Sequence, residues 1–206
     1  MTRISTLPSM LIVLGAVALG ACAKNDAPAD NAAMANDMAV ENAGTGNAMA
    51  GNAMAGVPQS VNLTGGDGAL LGTVTVSEDP SALVMNVTAT AMPAGVHGIH
   101  LHEKGLCDGP KFESAGAHWN PGMKQHGRDN PAGAHAGDLA NLTVAADGTA
   151  KFSIPVAGVM MASGPMMLAD ADGTALVVHA KPDDYKTDPS GDSGDRIACA
   201  VIAAAK

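Results

Sequence analysis

Residues 83–103 read LVMNVTATAMPAGVHGIHLHE. Two runs of apolar, β-branched and small residues flank the punctuation AMPAG, and neither shows a 3.6-residue period. The same rhythm continues on both sides. Upstream come SVNL, the turn Gly65-Gly66-Asp67-Gly68 and LLGTVTVSED; downstream come DLANLTVAADGTAKFSIPVAG, ALVVHA and ACAVIAAA. Asp147-Gly148, between NLTVAA and TAKFSI, is a strong hairpin signal. Short strands separated by turns, with no long amphipathic helix, predict an all-β sandwich or barrel. The whole chain has one Trp, one Tyr and two Phe, so such a core must be built from Val, Leu, Ile, Met and Ala.

The second half of the quoted stretch opens a region, Gly95 to Asp138, that holds six of the seven histidines; only His179 lies outside it. Strand side chains alternate faces, so His100 and His102 point the same way and His97 the other. Two neutral imidazoles on one strand face make half of the tetragonal nitrogen site that Cu(II) prefers. His179 sits in the strand-like ALVVHA, and His118 in the loop AGAHWNPG. His126, His135 and Asp138 lie in Gly/Asn/Pro-rich segments that read as loop. Three imidazoles and one carboxylate satisfy a tetrahedral Zn(II). A deprotonated imidazole has a nitrogen on each side of its ring, so His118 could serve both metals. His97 reads as a hydrogen-bonded structural residue without a metal.

Taken together, GIHLHE, GAHWNP, the QHG turn, HAGDL, LVVHAKPDD and GDRIACAVI resemble the copper/zinc superoxide dismutase family, in order and with compatible spacing. The resemblance runs from about Val57 to Lys206. It implies an eight-stranded Greek-key β-barrel, of immunoglobulin-like sandwich architecture, with long metal-binding and electrostatic loops. It implies copper on His100, His102, His118 and His179, and zinc on His118, His126, His135 and Asp138. Dismutation of superoxide would follow, with the copper side of His118 opening and taking up a proton during the cycle. Asp183 matches the carboxylate that joins a copper histidine to a zinc histidine, with Asp184 as the adjacent alternative. Arg196 matches the arginine that orients the substrate anion beside copper. A Cys107–Cys199 disulfide is implied as well, closing a loop whose chain-entropy contribution is about 4 to 5 kcal/mol.

The beginning of the chain is of another kind. Residues 1–22 carry Arg3, an apolar run from Met10 to Leu19 and the ending Leu19-Gly20-Ala21-Cys22. The run is too short to span a bilayer, and the segment reads as a secretory signal peptide. LGAC resembles a bacterial lipobox, which implies lipid attachment at Cys22 and a membrane anchor. Residues 23–56 are rich in Ala, Asn, Met, Gly and Asp, and 46–56 read GNAMAGNAMAG. This composition predicts a disordered tether, with an end-to-end distance of roughly 30 Å as a flexible coil. Met34, Met38, Met49 and Met54 are soft thioethers that suit Cu(I), against the plainer reading of an inert linker. Residues 57–206 then form one domain.

The net charge is −9, which argues against nucleic-acid partners. It also means that an anionic substrate needs a local positive funnel. Arg196 is the main candidate, with Lys181 and Lys186 as weaker ones. Asp188, Asp192 and Asp195 in KTDPSGDSGD depart from the family pattern and predict weakened steering. The full set of ligands plus Arg196 favours an enzyme over a copper-holding or copper-delivery lipoprotein, and His126, His135 and Asp138 disfavour a copper-only dismutase. The expected location is the periplasm or cell envelope. The family resemblance leaves both monomer and homodimer open.

Overall fold

The computed structural model of the chain describes residues 59–79 and 82–206. The leader over 1–22, with Cys22, and the tether over 23–56 lie outside the described residues. The fold is all-β: β1 Gln59–Gly65, β2 Leu70–Asp79, β3 Ala82–Ala89, β4 Gly95–His97, β5 Ile99–His102, β6 Leu142–Val144, β7 Ala150–Ala157, β8 Thr174–His179 and β9 Arg196–Ala203. One short 3₁₀ turn, Glu113–Ala115, is the helical content of the described residues.

Seven strands form an antiparallel sheet in the order β5-β8-β9-β1-β2-β3-β7, and β4 pairs with β6 in a ribbon. The two are continuous in the chain. At one end β6 enters β7 through the Ala145–Thr149 turn predicted from Asp147-Gly148; Gly148 has φ 82° and Asp147 Oδ1 accepts from the Thr149 amide at 3.0 Å. At the other end β4 runs into β5 across the single residue Gly98. Gly95–His102 therefore counts as one passage of the expected eight-strand arrangement, broken where it changes partner from β6 to β8. A Cβ on Gly98 would lie 2.9 Å from Ser193 Cβ and 3.3 Å from His100 Cε1, so only glycine permits this crossing.

Alternation sets the two faces of the wall. Leu83, Met85, Val87 and Ala89 of β3 are buried at every second position, as are Ile154 and Val156 of β7. Ile99 and Leu101 of β5 and Leu176 and Val178 of β8 enter the same core, whose one buried aromatic is Trp119. The opposite face of β8 is also buried: Ala175 and Val177 pack with Phe112, Ala115, Cys107 and Cys199 in a second cluster. That cluster is the underside of the loop leaving β5. Cys107 and Cys199 form a disulfide with a Cα–Cα distance of 5.7 Å.

Candidate metal centre

The histidines occupy the outer face of the β5–β8 wall. His100 stands opposite Val177 and His102 opposite Ala175, while the His179 amide donates to the Gly98 carbonyl at 2.8 Å. His100, His102 and His179 thus project away from the apolar core, under the loop that carries Phe112 to His118. His118 reaches β5 through a bridge to His102, and Asp138 through a bridge to His100.

One ring nitrogen from each of His100, His102, His118 and His179 lies within 4.8 Å of all the others. All four rings are buried. In each ring one nitrogen is committed: His100 Nε2 to Asp183 Oδ2 at 2.9 Å, His102 Nδ1 to the Gly116 carbonyl at 3.0 Å, His118 Nδ1 to Asp138 Oδ1 at 3.0 Å, and His179 Nδ1 to the Gly194 carbonyl at 3.1 Å. The remaining nitrogens, His100 Nδ1, His102 Nε2, His118 Nε2 and His179 Nε2, are buried without a hydrogen-bond partner. Four orphaned acceptors converging on one place fit a metal ion, because buried polar atoms are otherwise nearly always satisfied. Burial pushes the pKa of His102 down to about 2, that of His179 to about 3 and that of His118 to about 4. The rings are therefore neutral near pH 7, the state a metal requires.

A second group adjoins the first. His118 Nδ1 and His126 Nδ1 each lie 3.0 Å from Asp138 Oδ1, and His135 Nδ1 lies 3.2 Å from it. His126 Nδ1 has no hydrogen-bond geometry despite that distance. Zinc–nitrogen bonds of about 2.0 to 2.1 Å in a tetrahedron give ligand–ligand edges of about 3.3 Å, close to these separations. His135 stands at the rim, its ring centroid 5.5 Å from those of His118 and His126, whereas His100 falls inside the tighter cluster with His118, His126 and Asp138. His100 has its Nε2 held by Asp183 and its free Nδ1 in the four-histidine group, which leaves His135 as the candidate for the fourth place here. Asp138 Oδ2 accepts from the Gly127 and His135 amides at 2.9 and 3.0 Å, which fixes the carboxylate.

Asp183 links the two groups. Its Oδ2 takes His100 Nε2 and its Oδ1 takes His126 Nε2 at 3.0 Å. Asp184 faces the other way and accepts from the amides of Lys186 and Thr187, each at 2.8 Å. Burial opposes ionisation of Asp138 and Asp183, but the histidine hydrogen bonds prevail and hold both carboxyls well below the usual range. His126 shows the reciprocal effect. Burial lowers it, but the Asp183 hydrogen bond and the nearby negative charges of Asp138 and Asp183 outweigh burial, and its pKa rises to about 9.

Arg196 pairs across from His179 where β9 begins. Its Nη1 donates to the Phe112 carbonyl and its Nη2 to the Gly116 carbonyl, both at 2.7 Å. These two carbonyls are parts of the site that sequence reasoning missed, as are Asn141, whose side chain pairs with the Asp183 backbone, and Gly191, which packs against the Asp183 carboxylate. Backbone acceptors carry no residue-type signal, although the Gly116 position is marked by its left-handed φ of 77°. His97 Nδ1 lies 2.8 Å from the His179 carbonyl and its Nε2 2.9 Å from that of Pro93, outside both groups. Lys181 and Lys186 are exposed, and Asp188 Oδ1 accepts from the His126 amide at 2.6 Å.

The family model for copper/zinc superoxide dismutase matches residues 70–202. A copper/zinc superoxide dismutase of Caulobacter vibrioides is 45% identical over 140 residues, covering 66% of this chain and 80% of its own. A superoxide dismutase-like protein of Bacillus subtilis is 40% identical over 145 residues, covering 69% and 74%. Among solved structures, a SOD-like protein from Bacillus subtilis superposes with a TM-score of 0.68 at 37% identity, over 71% of this chain and 99% of that one. The Cu/Zn superoxide dismutase of Brucella abortus does so with a TM-score of 0.55 at 31% identity and the same coverage.

Proposed function

Because this chain belongs to the copper/zinc superoxide dismutase family, we propose that it converts two superoxide anions and two protons into dioxygen and hydrogen peroxide, outside the cytoplasm. His100, His102, His118 and His179 would hold copper, and His118, His126, His135 and Asp138 zinc. Copper supplies a one-electron cycle between Cu(II) and Cu(I), and zinc a fixed structural charge without redox chemistry. The observation that carries the reading is the convergence of four buried, unpartnered imidazole nitrogens beside a carboxylate ringed by three more.

The residues divide the work. Arg196, its guanidinium plane set by two carbonyls, attracts and orients the anion. His118 Nε2 holds one of the two protons between the half-reactions and gives it to the peroxide being formed; solvent gives the other. Asp183 keeps His100 and His126 with their Nε2 protonated and their Nδ1 lone pairs turned to the metals.

Export rests on the leader over 1–22, and lipid attachment on LGAC ending at Cys22. The Cys107–Cys199 disulfide supports an oxidising compartment. The tether over 23–56 would let the domain stand clear of a membrane. The test is the superoxide decay rate of the full chain carrying one copper and one zinc, across ionic strength. A fast rate that falls with salt is expected, since local positive charge then governs approach. No decay beyond buffer with both metals bound would instead favour the copper-holding lipoprotein. Incorporation of labelled fatty acid, abolished by Cys22→Ser, tests the anchor.

A further inference from the structure

Asn141 lies just before β6, outside both histidine groups, and its hydrogen bonds go to none of their rings. Its side chain nevertheless grips the backbone of Asp183 on both sides. Asn141 Nδ2 donates to the Asp183 carbonyl at 2.9 Å, and the Asp183 amide donates to Asn141 Oδ1 at 2.9 Å. The Asn141 amide in turn donates to the Tyr185 hydroxyl at 2.9 Å, and the Tyr185 amide donates to Asp183 Oδ1 at 2.6 Å. Arg128, on the loop of His126, covers the Tyr185 ring with its Cζ 5.0 Å from the centroid. The Asp129 amide donates to the Tyr185 carbonyl at 3.0 Å.

From this closed set of contacts we infer that Asn141 and Tyr185 are positioning residues for both metals, acting through Asp183. The inference rests on the metal reading above. The mechanism is geometric. A carboxylate can orient two imidazoles only if its own backbone is fixed, because a rotation of residue 183 moves Oδ1 and Oδ2 together. Asn141 and Asp183 form a two-point amide pair, which removes that rotation, and the Tyr185 hydroxyl keeps Asn141 itself in place. His100 Nδ1 and His126 Nδ1 are then aimed into the two neighbouring ligand groups by one shared device.

The experiment uses the full-length chain loaded with copper and zinc and follows release of each metal to an excess of chelator, with activity as a secondary readout. Asn141→Ala is expected to speed release of both metals by about tenfold or more, the usual scale for partners of metal ligands. Tyr185→Phe, which keeps the ring under Arg128, is expected to speed it by about threefold and serves the same purpose should Asn141→Ala not fold. A double-mutant cycle with Asp183→Asn separates positioning from general stability. Once Asp183 is replaced, Asn141→Ala should add less than about twofold. Equal acceleration in both backgrounds overturns the inference, as does unchanged release in Asn141→Ala or, where that variant does not fold, in Tyr185→Phe. A wild-type chain that retains neither metal overturns the metal reading and this inference with it; wild-type retention with unchanged variants overturns this inference alone.

Discussion

Gly191 lies against the carboxylate of Asp183 so closely that a methyl group at position 191 would overlap that carboxylate and sit 2.7 Å from His126 Nε2. Its φ of 65° is in the left-handed region that L side chains seldom adopt. Gly191→Ala is therefore expected to break the Asp183–His126 hydrogen bond and to weaken zinc binding by about 10- to 100-fold. Zinc release to a chelator checks this, and a retained β-type far-ultraviolet spectrum shows that the barrel survives.

Arg196 is held by two carbonyls and forms no ion pair among the described residues, with the Glu113 charge acting on it only from a distance. Arg196→Ala should lower the superoxide decay rate by about tenfold or more while both metals stay bound. Arg196→Lys should restore only part of the rate, because an ammonium cannot reproduce the planar fork that spans both acceptors. Stopped-flow decay at low salt, with metal content measured in parallel, makes the comparison.

The metal-free protein should be most stable near pH 6.5. His102, His118 and His179 are neutral in the fold, with pKa values of about 2, 4 and 3. Between pH 6.5 and about 4 the unfolded chain binds protons there that the folded chain does not. Stability then falls with pH, by about 1.4 kcal/mol per pH unit for each group. His126 works in the other direction. Its folded pKa of about 9 lends stability that is complete below 6.5 and is lost as pH rises through 9. Urea midpoints from pH 4 to 9 should trace a maximum, and metal loading should remove the alkaline fall by occupying His126 Nδ1.

The disulfide joins β9 to the loop whose carbonyls hold Arg196. Cys107→Ser with Cys199→Ser is expected to cost about 2 to 5 kcal/mol of stability. It should also lower the decay rate with copper and zinc retained, since Phe112 and Gly116 lose their tie to the strand. Thermal unfolding and decay kinetics on the same sample separate the two effects.

Parity made part of this centre readable in advance. His100 and His102 lie on one strand, where alternation alone puts them on one face opposite Ile99 and Leu101; His179 joins that face through the pairing of β8 with β5, which the sequence does not show. His118, His126, His135 and Asp138 come from loops without periodicity, and only their combined motif suggested a common destination. Spacing alone favours Asp183 over Asp184; both follow Pro182, and the direction of the turn, which brings Asp183 onto His100 and His126, leaves no mark in the residue types. Gly98 concealed a change of partner within what reads as one strand. The acidic run 186–195 reads as a liability for an anionic substrate, yet Asp188 is engaged with the His126 amide.

One oxygen ties recognition to redox. The Gly116 carbonyl receives both His102 Nδ1 and Arg196 Nη2. A displacement of that peptide would alter the electron-donating power of His102, the proposed copper ligand, and the aim of Arg196, the proposed anion guide, together. Evolution, or a protein engineer, is thus denied separate dials for potential and for anion affinity in this loop, and variants that retune one will arrive already altered in the other.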